Sequence, residues 1–266
     1  MLILLHSAGN HSNRLFQNLH FEAFCKEFNV KYINPSFANM HKYYKSPCKI
    51  YNISNFILLK FPLMLRIIKK IGLFTYISFN ENTNISLPRD NKQNIYVGGW
   101  FFRVHELTAK YQDYFIAKYT LKEKYYKDNN YLKIINKQKE NGNIIIGIHI
   151  RRGDYKQWNE GKYFFDDNVY LKYKQNMKNE IESKLNKQCK IIFFSNEPLS
   201  FVEDENTYIS KNDWYIDQFL MSKCDFLIGP PSTFTLWASY IGKVKYYHIE
   251  NNNGIINLNN FLYCKG

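Results

Sequence analysis

The residues whose types and spacing could do chemistry are densest at positions 147–155, GIHIRRGDY. Arg151 and Arg152 stand directly behind a run of β-branched residues, 144–150, that reads as a strand covered on both faces. A guanidinium at that place is costly unless an anion or a carboxylate meets it. A phosphate suits the fork, and charge-assisted contacts of this kind contribute about 1.5 to 3 kcal/mol each. The competing arrangement is an internal ion pair, such as Arg152 with Asp154, and one of the two arginines is expected to be spent that way.

Three other places resemble it. In an open parallel sheet ligands gather beyond the carboxyl ends of the strands, and predicted strands are followed by Ser7-Ala8-Gly9-Asn10, by Ser195-Asn196-Glu197 and by Gly229-Pro230-Pro231-Ser232-Thr233. Ser232 and Thr233 open a predicted helix, where backbone N–H groups and the helix dipole favour an anion. The same residues are ordinary N-caps, and the two roles are compatible. Gly9-Asn10 has the look of a nucleotide-binding turn, but neither G-x-G-x-x-G nor G-x-x-x-x-G-K-[ST] occurs, which argues against a dinucleotide fold or an ATP P-loop. His149 lies among apolar strand residues and reads as a residue that shapes the site, not as a base. No H-E-x-x-H, calcium loop or D-x-D is present, so no metal site is expected. Asp166-Asp167 read as helix N-terminal residues.

The elements that must position these groups follow from periodicity. Residues 2–5 read as a buried strand, and Leu15, Phe16, Leu19, Ala23 and Phe24 then recur at helical spacing, with a further strand at 30–33. Residues 125–143, rich in Lys and Asn, read as a linker, with a domain boundary near 140. Beyond it Val169, Tyr173, Met177, Ile181 and Leu185 recur every fourth residue on a slowly drifting helical face. Strands are expected at 189–194 and 225–228, and helices at 214–221 and 233–240. That β-α-β-α-β-α order implies an α/β, Rossmann-like parallel sheet.

Composition bounds the answer without choosing it. The 266 residues suit two modest domains, and 45% hydrophobic content can bury a core. Thirty-six Lys and Arg against 23 Asp and Glu give a formal charge of +13, which admits nucleotide phosphates, anionic lipid headgroups or nucleic acid. The lysines are spread along the chain, unlike the concentrated patch of a nucleic-acid reader. Five cysteines without a C-x-x-C pair suggest a reducing cytoplasm. The apolar start is too short for a leader or an anchor. Residues 56–77 mix apolar and basic residues and could lie on an anionic membrane face, although a core helix with a lysine-lined outer side is the simpler explanation.

These motifs resemble glycosyltransferase family 11, the α-1,2-fucosyltransferases, within the fucosyltransferases that share H-x-R-R. HIRRGDY at 149–155 stands nearly as that family writes it, GGWFF at 98–102 resembles its G-Y-[WF]-Q segment, and FFSNE at 193–197 its F-S-D-D. DQFLMSKCDFLIGPPSTFTLWASYIG at 217–242 resembles its D-x-x-x-M-x-x-C region through S-[ST]-F. The opening departs from the family, reading SAGNHSNR where G-G-L-G-N-Q is usual. The resemblance implies a GT-B fold, two Rossmann-like domains facing a central cleft: residues 1–140 on the acceptor side and 141–266 binding the GDP-sugar. It implies inverting, metal-independent transfer of L-fucose from GDP-fucose to a hydroxyl, galactose 2-OH first, of an oligosaccharide or glycolipid acceptor, with no cofactor. The expected catalytic residues are Arg151, against the departing diphosphate, and Asp154; His11 and Glu106 are further candidates for a base. Expected donor contacts are Gly9, Asn10, His149, Arg152, Ser195, Asp217, Ser232, Thr233 and Phe234. Asp217 would hold the guanine edge or cap a helix. A surface-glycan acceptor, in lipopolysaccharide or capsule, would suit a cytoplasmic enzyme, peripheral at the inner membrane face. The reading from another class is a basic nucleic-acid- or membrane-binding protein, and it leaves the strand-end motifs unexplained.

Overall fold

The computed structural model describes residues 1–5, 9–37, 40–45, 67, 70–71, 75–81 and 86–266. They fall into two compact units, Met1–Thr120 with Lys265–Gly266, and Leu121–Cys264.

In the first unit β1 (Leu2–Leu4) is followed by α1 (His11–Glu27), β2 (Tyr32–Ile33), β3 (Tyr76–Ser78) and β4 (Ile95–Gly98). The strands pair in parallel in the order β2-β1-β4-β3. The five apolar residues that predict α1 are all buried. Phe21 and Phe24 join Leu2, Leu4, Val97 and Phe79 in one core. The short helices α2 (His105–Lys110) and α3 (Gln112–Tyr119) follow. Neither they nor β3 and β4 stand out in the sequence, because three- or four-residue strands and one- or two-turn helices are too short to display a period.

A buried polar network ties α1 to α3. Asn18 accepts hydrogen bonds from Tyr32 Oη at 2.8 Å and Asn34 Nδ2 at 2.7 Å and donates to Tyr119 Oη. Tyr119 donates in turn to Glu22 at 2.5 Å, and Lys118 pairs with the same carboxylate.

The second unit begins with α4 (Asn130–Glu140), where the sequence suggests a linker. One buried residue, Ile135, anchors this helix, Asn129 caps it by accepting from Leu132 N–H, and Lys139 pairs with Asp225 at 2.7 Å. The division between units therefore falls after Thr120, earlier than the expected position near 140. A helix with a single buried contact carries almost no apolar periodicity to read.

β5 (Ile144–Ile150), α5 (Asp167–Leu185), β6 (Cys189–Ser195), β7 (Thr207–Ile209), α6 (Trp214–Met221), β8 (Phe226–Gly229), α7 (Thr233–Gly242) and β9 (Lys245–His248) follow. All five strands are parallel, in the order β7-β6-β5-β8-β9. β5 sits at the centre, buried on both faces as its β-branched run predicts. On α5, Val169, Tyr173, Met177 and Ile181 are buried while Leu185 is exposed, which is the drift expected of an i, i+4 series on a 3.6-residue helix. The segment 56–77 lies almost wholly outside the described residues, and no described helix is long and apolar enough to cross a membrane.

Tyr119→Phe leaves the buried Glu22 carboxylate and the Asn18 amide each one partner short. It should cost about 1–3 kcal/mol of stability in chemical denaturation, and an unchanged midpoint would show that the network is dispensable.

Candidate functional site

In the second sheet the strand order reverses at β5 and β8, with β6 and β7 on one side and β9 on the other. The connections diverge there, which leaves a crevice beyond the carboxyl ends of the two central strands. Residues 151–155 and 230–235 enter that crevice. Gly229 approaches β5 so closely that a Cβ would stand 2.8 Å from the His149 carbonyl oxygen, so the two loops leave the sheet side by side.

Side chains then join them. His149 Nδ1 lies 2.9 Å from Thr235 Oγ1, and the imidazole packs against Phe234 with ring centroids 5.0 Å apart. Burial, reinforced by the positive charge of Arg151, pushes the His149 pKa down to about 3. It is therefore a neutral linking residue at ordinary pH, which fits a shaping role. Tyr155 Oη donates to the Pro231 carbonyl at 2.5 Å. Ser232 is the N-cap of α7 and accepts from Phe234 N–H at 3.2 Å, with Thr233 next in the first turn.

The two arginines part company because successive side chains of an extended backbone point to opposite sides. Arg152 turns inward, 8% exposed, and its two terminal nitrogens donate to the Phe165 carbonyl and the Asp167 carboxylate. Asn196 Oδ1 accepts from the Arg152 backbone N–H at 3.2 Å. Asp167 also accepts from the backbone and hydroxyl of Ser200 at 2.8 and 2.6 Å. Burial alone would raise the Asp167 pKa, but the Ser200 hydrogen bonds and the Arg152 charge outweigh it and lower it. Arg151 turns outward, pairs with the exposed Asp154 at 2.8 Å and lies 5.4 Å from the Tyr155 ring centroid.

Asp154 is thus the partner of Arg151, where the sequence pairs it with Arg152, and Arg152 is an internal strut with its terminal donors committed within the fold. Asp167, read from sequence only as a helix N-terminal residue, does occupy the first turn of α5 and holds Arg152 as well. Nothing local announces a partner fifteen residues away. The pair walls a cavity of about 600 Å3 between Phe164, Asn168 and residues 198–200, on the β6 side of the switch point.

Other expected donor contacts have internal partners. Ser195 Oγ donates to the Glu197 carbonyl at 2.8 Å and accepts from its N–H at 3.2 Å, closing a turn. Asp217 is buried in α6, whose N-cap is Asp213, so it does not cap the helix. It accepts from Ser210 Oγ at 2.5 Å, and Ser210 accepts from Asn212 Nδ2 at 2.7 Å. Burial pushes the Asp217 carboxyl up to about 7. Gly9, with φ of 68°, and Asn10 at the N-cap position of α1 belong to the first unit, as do His11 and Glu106; Ser7 and Ala8 lie outside the described residues. The GGWFF segment follows β4, and Gln17 Nε2 donates to the Gly99 carbonyl at 2.6 Å. Two residues of the crevice, Tyr155 and Thr235, were not among the expected contacts, although Tyr155 ends the GIHIRRGDY run.

Because folded Asp217 keeps its proton up to about pH 7 while an unfolded aspartate releases it near pH 3.9, the folded state binds more protons between those values. Stability from this group is therefore lost as pH rises through that window. Asp217→Asn should gain stability relative to the unmodified protein on going from pH 5 to pH 8 in parallel thermal melts. A pH-independent difference would contradict the assignment.

Comparison with known proteins adds an independent line. In fold the chain resembles a mutant of Arabidopsis thaliana FUT1 in complex with GDP, with a TM-score of 0.55 at 11% identity, covering 94% of this chain and 71% of that one. It also resembles the fucosyltransferase NodZ from Bradyrhizobium, with a TM-score of 0.52 at 12% identity, covering 94% and 96%. With two parallel-sheet α/β units in one chain, the architecture is of the GT-B type. No curated protein matches the sequence. The model of glycosyl transferase family 11 matches residues 74–255, more than half of the chain and the whole crevice between β5 and β8, and the chain belongs to that family.

Proposed function

We propose that the chain transfers L-fucose from GDP-fucose to a saccharide hydroxyl, galactose 2-OH first, with inversion and without a metal. The observation that carries this reading is that the sheet's switch point brings out, after β5, the guanidinium of Arg151 and, after β8, the N-terminus of α7, with Tyr155 joining the two loops. A diphosphate needs cationic and N–H donors, and an arginine with a helix N-terminus supplies both. The two solved structures of similar fold are a protein bound to GDP and a fucosyltransferase, which supports the choice of donor.

In this reaction the acceptor oxygen attacks the anomeric carbon while the bond to the diphosphate breaks. GDP leaves with the bonding electrons, and the hydroxyl proton passes to a base. Negative charge grows on the diphosphate, so a fixed cation there is worth more in the transition state than in the ground state. Arg151 meets that need. In its pair with Asp154 the arginine side chain is half-buried and the carboxylate is exposed, and a doubly charged diphosphate can compete with that single carboxylate for the guanidinium. Asp154, once displaced, is an unpaired carboxylate beside the reacting groups and is the proposed proton acceptor. Neutral His149 fixes Thr235 and the first turn of α7 and takes no proton.

The roles separate by experiment. Arg151→Lys keeps the charge but loses the fork, and transfer should fall about 10²- to 10³-fold with an unchanged melting temperature. Near-native turnover would remove Arg151 from the mechanism. GDP should raise the melting temperature more than UDP does, and EDTA should leave transfer to a galactoside unaltered; equal shifts or loss of activity in EDTA would overturn the donor and the metal-free reading respectively.

A further inference from the structure

Trp158 is a large aromatic side chain displayed to solvent on a stiff mount. It is 46% exposed, yet its ring lies 4.8 Å from Tyr155 and 5.6 Å from Tyr163, centroid to centroid. The turn that presents it places Asn159 at φ 50°, Glu160 at φ 57° and Gly161 at φ 75°. Two successive side-chain-bearing residues in the left-handed region are unfavourable, and such strain persists where surrounding contacts enforce it. Here Lys162 N–H donates to the Asn159 carbonyl at 3.1 Å and Phe164 N–H to the Gly161 carbonyl at 2.9 Å. Packing on Tyr155 and Tyr163 covers part of the ring and leaves the rest open to solvent.

Position and surroundings indicate what it meets. Tyr155, on which Trp158 rests, is bonded to Pro231 and lies beside the Arg151 guanidinium, so Trp158 is linked to the crevice through Tyr155. Lys156, Gln157, Asn159 and Glu160, all exposed, flank the ring. A protein or lipid partner would want neighbouring apolar surface, and these flanking positions supply none. A pyranose, with one C–H face and a rim of hydroxyls, matches a half-exposed ring in a run of amide, carboxylate and ammonium side chains.

We propose that Trp158 is the stacking platform for the saccharide acceptor, with Asn159 and Glu160 bonding its hydroxyls. This rests on the reading that the chain transfers a sugar to a saccharide. The test uses the full chain, lactose and N-acetyllactosamine as probes, and the variants Trp158→Ala and Trp158→Phe. With GDP-fucose saturating, Trp158→Ala should raise the acceptor KM about tenfold, with Trp158→Phe between it and the native chain. The KM for GDP-fucose should stay within about twofold. In fluorotryptophan-labelled protein without donor, the resonance missing from Trp158→Phe should shift when either saccharide is added. An unmoved resonance, or a native acceptor KM in Trp158→Ala, overturns the platform while leaving the transferase reading intact. A shifted resonance in a protein that never consumes GDP-fucose supports the platform and defeats the transferase reading.

Discussion

The largely buried pair between Arg152 and Asp167 is the constraint on which the crevice of the second unit depends. It fastens the residue after the central strand to the first turn of α5, and Ser200 holds the same carboxylate from the loop after β6. Removing either partner of such a pair leaves a stranded charge, at a cost of about 3–5 kcal/mol. With Arg152 anchored inward on an extended backbone, Arg151 must face outward. The direction of one guanidinium thus follows from the burial of its neighbour.

The second constraint is geometric. Only at the switch point do two adjacent loops diverge, and the close approach of Gly229 to β5 sets their separation. His149 and Thr235, then Tyr155 and Pro231, join the loops in layers from the sheet outward. These neutral contacts hold the loop that carries Arg151 to the loop that opens α7. A parallel sheet thereby brings groups far apart in sequence into one crevice.

Much of this was legible beforehand. Ile144–Ile150, the fourth-residue stripe of α5, α6 and the opening of α7 are long or strongly patterned, and their burial follows from residue type alone. The strand-end clusters were legible too, because the parallel-sheet rule says where to look. Less legible were α4, with a single buried residue, and the short strands β3, β4, β7 and β9. Their stability comes from neighbours and not from their own periodicity.

By itself the sequence determined the α/β class, the central strand and the fact that two arginines follow it, since hydrophobic period and residue chemistry are local properties. It could not decide between them. Whether Arg151 or Arg152 finds a carboxylate inside, whether Asp217 meets Ser210 or open solvent, and whether Trp158 is core or surface all depend on which distant backbone arrives alongside. Those answers are set by burial and by which residues meet, Asp217 with Ser210 seven positions away and Arg152 with Asp167 fifteen positions away. Only the tertiary structure, which converts such separations into distances of about 3 Å, could supply them.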